Sequence, residues 1–129
     1  MTLRSVDVGF VSTDRSLVDF LAEVFELSEL APLAFPQGTV YRLEGPGGLL
    51  KVMVPAAPPA APPAADSFYA VGGLRYLTVR VDDDLDGVVG RATARGGSVA
   101  LGPRELRPGA RLVVLNDPDG NAIEVIEES

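Results

Sequence analysis

The sequence predicts an α+β protein made of two tandem βαβββ modules, and three observations carry that expectation. An alternating apolar run near the N-terminus is followed by a helical stripe and then by further alternating runs. After a Pro/Ala-rich break the same order recurs. The halves also share a turn in matching place, since "LEGPGG" at Leu43 to Gly48 answers "LNDPDG" at Leu115 to Gly120.

In the first half, "SVDVGFV" sets Val6, Val8 and Phe10 on one face and Asp7 and Gly9 on the other, the pattern of a half-buried strand. Thr13 or Asp14 then caps a helix whose apolar stripe is Leu17, Phe20, Leu21, Val24 and Phe25. "TVYRLE", "GPGG" and "LLKVMV" predict a hairpin.

"PAAPPAAPPAA", Pro55 to Ala65, has too few N–H donors for helix or sheet and predicts an extended polyproline linker of ~30 Å at ~3.1 Å per residue. The expected organisation is therefore a first module over 1–54, a linker over 55–70 and a second module over 71–129, together one structural domain.

The second half opens with "LRYLTVRV". Leu77, Val79 and Val81 share one face of a strand, and Tyr76, Thr78 and Arg80 share the other. Asp82, Asp83 and Asp84 suit the positive end of a helix better than a metal site. The helix stripe is Leu85, Val88, Val89 and Ala92, with Gly96-Gly97 as the stop. "SVAL" predicts a short strand, and "ARLVVL", "NDPDG" and "NAIEVIE" a strand, turn and strand. The last of these places Glu124 between apolar residues.

The chain has 129 residues, 47% of them hydrophobic, enough for one sizeable core or two small ones. It contains no cysteine and no histidine. Disulfides, thiolate ligands, cysteine nucleophiles and Ser-His-Asp sets are therefore excluded. The glycines of "GPGG" and "RGG" sit in turns rather than in a phosphate-binding loop. A formal charge of -7 disfavours nucleic acid and anionic membranes. With no long apolar run at the N-terminus, the expectation is a cytoplasmic protein that binds no nucleic acid and no membrane.

The paired modules, "VSTD" before an amphipathic helix, "VRVDDDLDGVV" and above all the terminal "NDPDGNAIEVIE" resemble the vicinal oxygen chelate superfamily. That superfamily includes glyoxalase I, extradiol dioxygenases, fosfomycin-resistance proteins and bleomycin-resistance proteins. The resemblance implies curved mixed sheets around a cavity, and a homodimer. It also implies ligand positions on the first and last strand of each module, which here are Asp7, Lys51, Tyr76 and Glu124. Lys51 takes that position only if the first turn is one residue shorter than the second. Alternation favours this register, since a slip by one residue would bury the Lys51 ammonium beneath a helix.

An ammonium at a ligand position opposes a dication by about 8 kcal/mol at ~4 Å and an effective dielectric of about 20. Without histidine or cysteine only oxygen ligands remain. The expectation is thus no metal and no other cofactor, with Glu124 paired to Lys51 or facing a guest. The resemblance favours a metal-free protein that holds a small organic molecule, with a mild preference for a cationic or aromatic guest. Its cavity would be lined by Asp7, Tyr41, Lys51, Met53, Tyr76, Thr78, Arg80, Arg111 and Glu124. The alternative is a lyase, isomerase or dioxygenase of the same superfamily, using a divalent metal or Glu124 as a general base.

Overall fold

The stripe Leu17, Phe20, Leu21 and Val24 becomes the buried side of a helix in a computed structural model that describes residues 1–61 and 67–128. The chain divides into two units, Met1–Ala61 and Pro62–Ser129. Residues 62–66, the end of the proline-rich stretch and Asp66, lie outside the described residues, as does Ser129.

The first unit runs β1 (Val8–Val11), α1 (Ser16–Val24), β2 (Ser28–Glu29), β3 (Leu33–Phe35), β4 (Gly38–Glu44) and β5 (Leu49–Pro55). Its sheet has the order β1-β5-β4-β2, with β3 also paired to β4. β1 and β5 are parallel and the other pairs antiparallel. The strand expected between α1 and β4 is split in two. Pro32, which has no N–H to give a ladder, falls in the gap, and Leu30 and Ala31 there bond instead to the backbone and side chain of Arg42. Leu43 and Val52 are fully buried, as are Leu17, Phe20, Leu21 and Val24 of α1, while Phe25, the fifth residue of the expected stripe, follows the helix and is half-buried.

The second unit runs β6 (Tyr76–Val81), α2 (Leu85–Ala94), β7 (Ser98–Arg107), β8 (Ala110–Asn116) and β9 (Ala122–Glu128), with sheet order β6-β9-β8-β7. Again the first and last strands are parallel and the rest antiparallel. Leu85, Val88 and Ala92 of α2 are buried, as are Val113, Leu115, Ile123 and Val125 of the sheet. β7 is much longer than "SVAL" suggests. Register shifts after Val99, Leu101 and Glu105 let it continue past Pro103 as an exposed edge strand.

The start of α2 departs from expectation in its chemistry. Asp84 has φ 68° and makes no side-chain cap. The Leu85 N–H is instead satisfied by Glu127 Oε2 at 2.8 Å, a carboxylate delivered from β9, while Asp84 pairs with Arg91 at 3.1 Å. The stop is as the glycines predict: Gly96 has φ 87°, and the Gly97 N–H reaches back to the Ala92 carbonyl at 2.9 Å.

The two hairpins differ by one residue. Glu44 pairs with Leu49 across Gly45–Gly48, whereas Asn116 pairs with Ala122 across Asp117–Asn121. Lys51 and Glu124 each lie two residues beyond the closing pair and so correspond. The short first turn depends on Gly48, where a Cβ would sit 1.9 Å from the Val6 carbonyl oxygen. Gly48→Ala should therefore push the segment before β1 aside, disturb the adjacent Asp7–Leu49 hydrogen bond, and cost about 1–2 kcal/mol. Chemical denaturation of wild type and variant measures it. An unchanged midpoint would show that Val6 yields freely.

Candidate functional site

The face of the second sheet turned away from the fully buried Ile123 and Val125 is built by even-numbered residues. Thr78 of β6 and Val114 of β8 both pair with Glu124 of β9, so these three side chains share that face. Tyr76 and Ala122 lie at one end of it, Leu112, Ile126 and Arg80 toward the other. Leu112, Val114, Ala122 and Ile126 form an apolar cluster, each at most 6% exposed, and Phe68 packs against it. Phe68 also makes edge-to-face contacts with Tyr76 (centroids 5.2 Å apart) and Tyr69 (5.3 Å).

A cavity of about 1110 Å³ opens on this face. Its floor is Leu112, Val114, Ala122 and Glu124; β7 contributes Ser98, Ala100, Leu101 and Arg104; Phe68, Tyr69, Val71, Leu74 and Arg75 form a further wall. The remaining side is the turn Asp117–Asn121. Glu124 is half-buried among apolar neighbours and accepts a hydrogen bond from Thr78 Oγ1 at 3.0 Å.

The turn is organised by Asp117, which is 3% exposed. Its Oδ1 accepts from the Asp119 N–H (2.9 Å) and the Asn121 N–H (2.8 Å), and its Oδ2 accepts from Asn121 Nδ2 (2.8 Å). Burial raises the Asp117 pKa, opposed by the hydrogen bonds from Asn121 and Asp119. The "DPDGN" string is thus a carboxylate-centred turn that holds one side of the cavity.

The structure brings Tyr76, Thr78 and Glu124 together. Arg80 shares their face but is held at the far end by Glu128, which also binds Arg107 at 2.8 Å. In the first unit, Lys51 pairs with Gly9 and Arg42 and stands on the face opposite the buried Val52, with Met53 two residues on. Asp7 lies just before β1. Its Oδ1 accepts from the Leu49 N–H at 2.8 Å, and Lys51 Nζ stands 4.0 Å from its Oδ2. Within the first unit, the carboxylate beside Lys51 is that of Asp7.

Two expected cavity residues lie on the wrong face. Tyr41 pairs with Val52 and shares a face with the buried Leu43, so it points to the helix side, where the Arg15 guanidinium sits 5.0 Å from its ring centroid. Arg111 pairs with Glu127 and shares the face of Val113 and Leu115; it contacts Glu127 and Asp86, each at 3.3 Å, beside the start of α2. Conversely, Phe68, Leu74, Arg75, Arg104, Leu112 and Val114 were missed. The alternation of β8 could not reveal Leu112 and Val114, because Leu112 to Leu115 are buried on both faces.

The residues present do not fit a divalent metal of the kind the fold is known for. At the positions that the resemblance assigns to ligands, Lys51 carries an ammonium, both oxygens of Asp7 have partners within its own unit, and Tyr76 is edge-to-face with Phe68. Among the described residues no three carboxylates come together as a metal-binding group. Among them also, no helix is long and apolar enough to cross a membrane.

No curated protein matches the sequence. Solved structures share the fold. A glyoxalase family protein from Bacillus cereus superposes with a TM-score of 0.76 at 19% identity, over 99% of this chain and 95% of that one. TnmS3, an antibiotic binding protein from a Streptomyces species, superposes with a TM-score of 0.64 at 24% identity, over 100% and 97%. The fosfomycin resistance protein FosX from Listeria monocytogenes gives 0.70 at 14% identity, over 100% and 96%. A family model matches residues 10–125, and the chain belongs to the Glyoxalase/Bleomycin resistance protein/Dioxygenase superfamily.

Proposed function

We propose that the chain is a metal-free binding protein that sequesters a small organic molecule, an antibiotic or a metabolite, without transforming it. The observation that carries this reading is the cavity on the open face of the second sheet. Its volume, about 1110 Å³, is above the usual range for small-molecule sites, and its lining is mixed, with an apolar floor and wall beside a polar rim that includes Arg75, Arg104, Asp119 and Glu124. Leu112, Val114, Ala122 and Phe68 supply the apolar contact, Tyr69 an aromatic edge, and Glu124, held by Thr78 from outside the lining, a polar point that fixes orientation. The antibiotic binding protein of the same fold makes sequestration of a drug a fitting role.

The competing reading is a metal-dependent lyase, isomerase or dioxygenase. Metal analysis of protein purified without chelator separates the two. The expected content is below about a tenth of an equivalent of any divalent transition metal, because the donor set is wrong. Near-stoichiometric manganese, iron, nickel or zinc would overturn the metal-free reading. By resemblance we further propose a cytoplasmic homodimer; sedimentation at micromolar concentration should give twice the monomer mass, and a monomer alone would refute it.

A further inference from the structure

Acids outnumber bases in this chain, 18 to 11, so arginines without a carboxylate partner are not explained by a shortage of acids. In the second unit, Arg80 and Arg107 share Glu128, Arg91 has Asp84, and Arg111 has Asp86 and Glu127. Arg75 and Arg104 differ. Among the described residues neither has a carboxylate partner, and both line the large cavity.

Arg75 is also oriented. Its Nε donates to the carbonyls of Val71 (3.1 Å) and Gly72 (2.8 Å), which fixes the plane of the guanidinium and leaves its outer Nη edge for another acceptor. The acids of the same cavity are differently placed. Asp117 is consumed by its own turn, Glu124 takes the Thr78 hydroxyl, and Asp119 is exposed on the loop. An arginine held by one edge suits a planar oxyanion, to which a guanidinium can give two parallel hydrogen bonds.

Building on the proposed binding role, we infer that the guest of this cavity is an aromatic or apolar molecule carrying an oxyanion, with Arg75 and Arg104 determining specificity for that group. The ring body lies against Phe68 and the Val114 cluster. The oxyanion meets the two guanidiniums, and Glu124 accepts from a donor elsewhere on the guest. The net charge of -7 opposes an anion at long range, so any anion preference must come from these local groups.

Three probes on one bicyclic frame test this: the naphthoate anion, neutral naphthamide and cationic naphthylmethylammonium, titrated calorimetrically into the full chain. Wild type should bind naphthoate roughly tenfold more tightly than naphthamide, as a charge-assisted bidentate contact warrants, and naphthylmethylammonium most weakly. Arg75→Gln and Arg104→Gln should each lose part of that preference, and the double variant should bring naphthoate to the level of naphthamide. Both side chains are exposed, so circular dichroism should remain that of wild type. Equal affinity for naphthoate and naphthamide, or a preference for naphthylmethylammonium, would overturn the oxyanion assignment while the cavity reading stands. If none of the three binds, the cavity reading fails and the inference falls with it.

Discussion

Asp117→Ala lowers the stability of the second unit by about 2–3 kcal/mol, a fall of roughly 8–12 °C in its unfolding temperature. The substitution deletes the acceptor for two backbone N–H groups and one side-chain amide in a turn that is otherwise closed by Asp117 N–H to the Asn121 carbonyl at 2.9 Å. Asp117→Asn is milder, about 1 kcal/mol, because its Oδ1 can still accept from both backbone groups. The two forms also differ with pH. Burial raises the Asp117 pKa, so its contribution is fully present below the ordinary carboxylate value and declines as pH rises through the raised one. Wild type should therefore gain on Asp117→Asn as pH falls from about 7 toward about 4. Scanning calorimetry of the three proteins across that range is the check, and a gap that widens with rising pH would contradict the sign.

Phe68→Ala weakens every aromatic guest of the cavity by about tenfold or more, whatever its charge. The side chain is half-buried, touches the cluster of Leu112, Val114, Ala122 and Ile126 and meets both Tyr69 and Tyr76 edge-to-face, so its loss removes one wall and releases the rings it holds. The stability cost should stay near 1–2 kcal/mol because the cluster keeps its neighbours within the sheet. Titration with naphthamide reads the affinity. An unchanged value would mean that guests do not lie against this wall.

Much of the fold could be read from residue periodicity. The stripe of α1 and the face shared by Tyr76, Thr78 and Arg80 follow from spacing alone, and burial of Val52 agrees with the register that alternation gives to Lys51. The site was less legible. β8 carries apolar residues on both faces, so its parity was invisible until pairing with β9 put Val114, not Arg111, beside Glu124. Tyr41 was readable, since it shares a face with Leu43, and its assignment to the cavity reversed that parity. Phe68 and Arg75 lie beside a proline-rich run that offers no period, and their packing on the sheet is a tertiary outcome. The Glu127 cap of Leu85 joins residues 42 apart in sequence, which no local pattern encodes.

The central claim is that the open face of the second sheet is where a small organic molecule binds. Heteronuclear NMR of the isotope-labelled chain, titrated with naphthoate, tests it most directly. Saturable shifts are expected at the amides of Phe68, Leu112, Val114, Ala122 and Glu124 and around the Asp117–Asn121 turn, with little change at Lys51 or along α1. Shifts confined to the first unit, or none that saturate, would contradict it.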